Sequence, residues 1–243
     1  MSSAARTGVV LAAGFGSRLK GVVASTDLKP LTPVAGTPLI VRTLRSLEKA
    51  GCGRVVIVVG HHAETLRTGI EAIYSGPLEL VFAMNERYQK QNGLSVLAAR
   101  PFIEGGFILT MADHVFGDEV MVLAGSYVPE PGHAALLVDY KLDSIFDMDD
   151  ATKALVEDGN IIAIDKKLAD FNAVDTGVFV CTDGLMDVLQ ALDDENGDAS
   201  LSDGVRRLAA FGRMHALDIG DGFWQDVDTP EMMGHATRVL EGQ

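Results

Sequence analysis

The chain has 243 residues, with 34 acidic against 20 basic side chains and a formal net charge of −14. That balance argues against nonspecific binding to nucleic acid or to anionic membranes, although a few local cations and Mg²⁺ can reverse the field inside a cleft. Hydrophobic residues make up 47% and charged residues 22%, the composition of a soluble globular protein long enough to bury a sizeable core. Cys52 and Cys181, the only cysteines, give neither a disulfide framework nor a zinc pattern, so a reducing, cytoplasmic setting is expected. The start, Met1 to Arg6, lacks signal-peptide character, and no stretch approaches the ~20 apolar residues of a membrane span.

The first element is a buried strand, Val9 to Leu11, branched and apolar. It runs into Ala12, Ala13, Gly14 and Gly16, where a ligand can approach the backbone and successive N–H groups can form an anion-binding concavity. Arg18 adds planar donors suited to phosphate, and Lys29, beside Pro30, adds a compact positive charge. Two better-known glycine loops do not fit. Leu19 stands where the dinucleotide fingerprint needs its third glycine, and no G-K-[S/T] triplet follows for a P-loop.

A helix is predicted over Pro38 to Ala50, with Leu39, Ile40, Thr43, Leu44 and Leu47 on one face and Gly51 at its end. Arg54 to Val59 reads as a doubly covered strand, Ala63 to Tyr74 as a helix and Leu78 to Ala83 as a third strand. Alternating strands and helices imply right-handed crossovers and a site at the strands' C-terminal ends. Met84 to Ser95 is polar and rich in amides, whose paired donors and acceptors suit a base edge. Gly93 would let a ring pack against backbone, and Asn92 suits the cap of a helix over Leu94 to Ala99. Phe107 to Met111 is another buried strand. Asp113 at its end is placed to hold Mg²⁺, which prefers oxygen ligands, while His114 reads as structural.

The second half predicts a strand at Ala134 to Asp139, then an acidic and mobile segment at Tyr140 to Asp150. A hairpin turns through Asp158-Gly159, with Lys153 and Lys166 at its base. Val174 to Val180 is a strand, and helices are expected over Gly184 to Leu192, Leu201 to Ala210 and Glu231 to Leu240. Asp226 and Asp228 are expected to face opposite ways on a strand, so that only one enters the cleft. Asp228-Thr229-Pro230 has the character of a helix cap, which leaves Asp226 for the metal.

The set L-A-A-G-x-G-x-R-L followed by K-P-L resembles the signature of the sugar-phosphate nucleotidyltransferases, the MobA-like NTP transferase superfamily. Phe107 to Phe116, Val174 to Val180, Trp224 to Thr229, Ala151-Thr152-Lys153, Val156 to Gly159 and the later Lys166 extend the likeness over nearly the whole chain. Together they look like the CTP:inositol-1-phosphate cytidylyltransferases. The resemblance implies an α/β, Rossmann-like (GT-A-like) fold: a mixed, mostly parallel sheet flanked by helices, with a small β-hairpin substrate subregion. It implies one domain over residues 1–243, with an NTP-binding half to about residue 130 and an acceptor-binding half beyond it.

By the same resemblance, Leu11, Ala12, Ala13, Gly14, Gly16, Ser17, Asn85, Asn92 and Gly93 bind the nucleotide. Arg18 and Lys29 lie on its phosphates. Asp113 and Asp226 hold Mg²⁺. Lys153, Lys166, Asp175, Thr176 and Gly177 meet the acceptor. The implied reaction moves CMP from CTP to a phosphorylated alcohol, inositol 1-phosphate first among them, and releases pyrophosphate. Some relatives carry a fused membrane transferase that consumes the CDP-alcohol. None is seen in these 243 residues, so another protein is expected to use the product. Other readings stay open: a sugar-1-phosphate uridylyl- or guanylyltransferase, a phosphocholine or phosphonate cytidylyltransferase, or a noncatalytic nucleotide-sensing module. A homodimer is also left open.

Overall fold

A computed structural model describes residues 6–14 and 28–242. Strand β1 (Arg6–Leu11) leads to a short 3-10 turn at Lys29–Leu31 and a two-stranded ribbon, β2 (Pro33–Val34) and β3 (Thr37–Pro38). Then follow α1 (Leu39–Lys49), β4 (Cys52–Val59), α2 (Ala63–Ile73), β5 (Glu79–Met84), α3 (Gly93–Ala99), β6 (Phe107–Met111), β7 (His114–Phe116) and α4 (Asp118–Ser126). The remainder comprises β8 (Ala134–Asp139), β9 (Lys153–Glu157), β10 (Asn160–Asp165), β11 (Ala173–Cys181), α5 (Asp183–Asn196), α6 (Leu201–Ala210), β12 (Met214–Asp218), β13 (Trp224–Asp226) and α7 (Pro230–Glu241).

Nine strands form one mixed sheet in the order β5-β4-β1-β6-β11-β8-β12-β10-β9. The first four run parallel, as continuous apolar strands joined by helical crossovers should. From β11 onward most pairings are antiparallel, with β8–β12 the parallel exception. Parallel order therefore belongs to the first half. β9 also pairs back onto β11, so the second half curls.

Alternation along the central strands sends side chains into two cores. Val9, Val56, Leu109, Leu136 and Phe179 meet α3, α5 and α6 on one face. Val10, Ile57, Ile108, Leu137 and Val180 meet α1, α2 and α4 on the other. The predicted face of α1 is buried in full, and the Thr43 hydroxyl bonds back to the Leu39 carbonyl. Gly51 ends that helix region at φ +79°.

Several features depart from expectation. β7, α4 and β12 carry weaker periodicity and were not anticipated. Asn92 stands at the α3 cap position, but its side chain accepts from the Leu201 amide at 2.9 Å instead of capping the helix. The segment expected to be mobile, 140–150, contains a 3-10 turn at Leu142–Ser144. It is tied down by the Lys141 amide on Asp139, by Lys141 Nζ on the Gly220 carbonyl and by Lys153 Nζ on the Met148 carbonyl. No helix among the described residues is long and apolar enough to cross a membrane.

Candidate active site

Two clefts open at the C-terminal ends of β1 and β6. The smaller, about 430 Å³, is lined by Leu11, Ala12, Ala13 and Gly14, with Lys29, Tyr88, Lys90 and Ser95 around them. The larger, about 530 Å³, lies over β11 and is walled by the 140–152 segment, β13 and α7. Asn92, Met111, Asp113 and Asp228 line both. The clefts therefore meet at a pair of carboxylates.

Lys29 spans that pair. It is buried in the 3-10 turn after the loop, where Pro30 fixes the backbone. Its Nζ donates to Asp113 Oδ2 at 2.6 Å and to Asp228 Oδ1. Burial opposes the ammonium charge, but Asp113 and then Asp228 outweigh it and raise the lysine pKa. Burial likewise pushes Asp113 upward, yet Lys29 and His114 hold it well below the ordinary carboxylate range. The other oxygen, Asp113 Oδ1, is met by His114 Nδ1 at 2.7 Å.

His114 was read as structural, and it is also part of this constellation. Its ring lies near-parallel to Trp224 and Phe116. Burial opposes its charge, but Asp113 and then Asp226 outweigh that and raise its pKa. Gly177, at φ +79°, makes room for it: a Cβ there would lie 2.7 Å from His114 Nε2. Asp175 lines the same wall and accepts from the Gly177 amide at 2.7 Å; burial pushes its carboxyl up to about 6.

The expectation that only one of Asp226 and Asp228 enters the cleft is overturned. Residues two apart in extended chain share a face, so alternation sends Val227 inward to the core and leaves both aspartates toward the cleft. The helix cap falls instead to Thr229, whose side chain accepts from the Met232 amide. Asp150, Asp226 and Asp228 each present an oxygen within 4.8 Å of the others. Three carboxylates in such reach suit a hard divalent cation. Burial raises the pKa of Asp226; His114 opposes the shift, and the like charges of Asp228 and Asp113 add to it.

The other predicted residues divide. Lys166 lines the larger cleft and pairs with Asp150 Oδ1 at 2.8 Å. Lys153 does not reach the cleft wall; it is buried, donating to the carbonyls of Met148, Ala151 and Lys166. Thr176 is fully buried, bonded to the Leu137 carbonyl at 2.8 Å. Asn85 is buried behind the smaller cleft, donating to Ser95 Oγ and accepting from the Arg87 amide. The space a Cβ would fill at Gly93 is taken by the Ala199 carbonyl at 2.5 Å, so its close approach serves packing within the protein. Gly16, Ser17 and Arg18 lie outside the described residues.

Sequence reasoning missed Asp150, Asp228, Tyr88, Lys90 and the aromatic wall of Phe146, Trp224 and His235. The i, i+2 spacing of Asp226 and Asp228 was the available signal for one of these. The others come from segments far apart in sequence.

Residues 8–155 match the family described as the MobA-like NTP transferase domain. Over 96% of its length the chain is 31% identical to the bifunctional IPC transferase and DIPP synthase of Thermococcus kodakarensis, and 33% identical to that of Rubrobacter xylanophilus. It spans about half the length of these curated relatives, 50% and 51% respectively. Among solved structures, the inositol-1-phosphate CTP transferase from T. maritima superposes with a TM-score of 0.81 at 26% identity, covering 97% of this chain and 98% of the other. With a family match over more than half of its residues, the chain belongs to the MobA-like NTP transferases.

Proposed function

We propose that this chain is a Mg²⁺-dependent cytidylyltransferase that moves CMP from CTP to a phosphorylated alcohol, with inositol 1-phosphate as the favoured acceptor. The observation that carries this reading is the meeting of two clefts at Asp113 and Asp228, bridged by a buried lysine. The smaller cleft takes the nucleotide, because the small residues Ala12 to Gly14 open its backbone to phosphate and Lys29 and Lys90 stand beside them. The larger takes the acceptor, because its wall is charged and aromatic. In this reading residues before about 130 supply most of the nucleotide side and those after it most of the acceptor side, with Asp228 and Asp113 crossing over. The specific choice of CTP and inositol 1-phosphate is supported by the likeness to the T. maritima transferase and to the IPC transferases.

The acceptor phosphate is anionic at neutral pH, so attack on the α-phosphorus needs positioning and charge compensation more than a base. Lys166 draws the acceptor phosphate from the outer wall, and Asp175 accepts from an acceptor hydroxyl. Lys29, with Arg18 from the loop, neutralises charge on the departing pyrophosphate. To do so Lys29 exchanges carboxylate oxygens for phosphate oxygens, a short movement of one ammonium. Asp226, Asp228 and Asp150 form an all-oxygen set that fits Mg²⁺, and Asp113, now held by Lys29 and His114, would join it once Lys29 turns to phosphate. When bound there, Mg²⁺ supplies Lewis-acid compensation of charge on the phosphoryl oxygens.

The test is pyrophosphate release from CTP, UTP, GTP and ATP against inositol 1-phosphate, phosphocholine, aminoethylphosphonate and hexose 1-phosphates. Turnover with CTP and inositol 1-phosphate is expected. Turnover only with UTP or GTP and a hexose phosphate would remove the proposed specificity. CTP binding without turnover across the acceptors would remove the catalytic reading.

A further inference from the structure

Asp226 is gripped from behind. Gln225 precedes it on β13 and is almost fully buried. The Gln225 Nε2 group donates to the Asp226 carbonyl at 2.8 Å and to Asp226 Oδ1 at 2.9 Å. Both amide hydrogens are thus used on oxygens that can only accept. This fixes the amide's orientation, since the flipped form would set oxygen against oxygen. Gln225 Oε1 then has to accept, and its partner is His235 Nδ1 on α7 at 3.1 Å. The proton therefore sits on Nδ1 of His235. Burial and then Arg238 lower the pKa of that ring, which agrees with a neutral imidazole. Phe146, from the acceptor wall, lies against the ring with centroids 4.7 Å apart.

We infer that Gln225 and His235 are positioning residues for the metal carboxylate: His235 holds Gln225, and Gln225 ties down Asp226 Oδ1 so that Oδ2 is the oxygen presented to a divalent cation. The arrangement has a counterpart at Asp113, where His114 occupies Oδ1 and leaves Oδ2 toward Lys29. Each carboxylate is thereby held by a donor outside the cation's own ligand set. Such outer partners set ligand orientation, and losing one typically costs ~10–100-fold in metal affinity. The inference rests on the divalent-cation reading above and deepens it. It also gives α7 a role: the last helix supplies no cation ligand, yet it aligns one.

The experiment measures Mn²⁺ binding directly, by electron paramagnetic resonance of free Mn²⁺, on the full chain with CTP and no acceptor. Gln225→Leu removes the donor, and its Mn²⁺ dissociation constant is expected to rise ~10–100-fold. CTP affinity measured without metal should stay unchanged. Gln225→Glu keeps the acceptor for His235 but sets a carboxylate on Asp226, and should lose as much or more. His235→Ala is a milder change on a half-buried helix face, which keeps the inference testable if the Gln225 variants fold poorly. It should weaken Mn²⁺ by ~3–10-fold, with His235→Gln restoring most of the loss. Mn²⁺ binding within twofold of wild type in both Gln225→Leu and His235→Ala would overturn the positioning inference alone. Absence of Mn²⁺ binding by the wild-type chain would overturn it together with the metal reading.

Discussion

The two clefts are made of different materials. The smaller sets one stretch of exposed main chain, Ala12 to Gly14 at the end of a parallel strand, against the cations Lys29 and Lys90 and the side chains of Tyr88, Met111 and Asp113. The larger is built from side chains carried by antiparallel strands, a turn-rich segment and the last helix. Backbone recognition uses one stretch of sequence and tolerates little variation in geometry. Side-chain recognition draws on distant segments and can be retuned one residue at a time. A family that keeps its donor chemistry while changing acceptors would be expected to divide its site in this way.

Mutations can break this comparison at the junction, where it should fail most severely. Asp113→Ala removes a carboxylate shared by both clefts, and Asp226→Ala removes its neighbour on the larger one. The expected loss is roughly a hundredfold or more in kcat, ~3 kcal/mol of transition-state stabilisation, with little change in CTP affinity. Near-normal pyrophosphate release by Asp113→Ala with Mg²⁺ present would remove that residue from the machinery.

One substitution per side then separates the clefts. Gly93→Ala drives a Cβ toward the Ala199 carbonyl, where backbone must give way. The strain is expected to cost ~1–3 kcal/mol in chemical denaturation and, by shifting Ser95 two residues on in the smaller cleft, to raise the CTP KM. Lys153→Met strips three carbonyls of their donor beneath the acceptor wall. It should cost about 2 kcal/mol and raise the acceptor KM while leaving the CTP KM alone. Equal effects on both substrates would show that the halves are not separable.

The smallest effect concerns pH. Asp175 titrates higher in the folded chain, at about 6, than when unfolded. Between the two values the folded state holds a proton that the unfolded state has lost, so stability falls as pH rises across that window. Asp175→Asn can keep the bond from the Gly177 amide without the charge. It should add about 1–2 kcal/mol to stability at pH 8 and almost nothing at pH 4, read from urea midpoints. A stabilisation as large at pH 4 would refute the burial origin of the shift.

The same division governs what could be read before the fold was known. Strands β1, β4 and β6 are continuous apolar runs, and Leu11 to Gly14 are contiguous, so the parallel strands and that wall of the smaller cleft were legible from local chemistry. The acceptor side required knowing which distant segments meet. Lys153 and Lys166 look equivalent in sequence, yet a hairpin's pairing turns one under the sheet and the other into the cleft. Asp228 was misassigned because the strand's alternation was misapplied, and because Thr229 could equally serve as the cap. Asn85 shows the opposite failure: an amide in a polar stretch suggested base recognition, but its bonds are spent locally.

The return of β9 onto β11 has a consequence for association. Among the described residues the strands β11, β8, β12, β10 and β9 close on themselves through the pairing of β9 with β11. Among the described residues the sheet's exposed rim is β5, at the opposite end. A strand added to this sheet from another chain would find its open edge there, where Glu79 places a charge on the rim. Closure thus directs strand addition to this sheet away from the larger cleft.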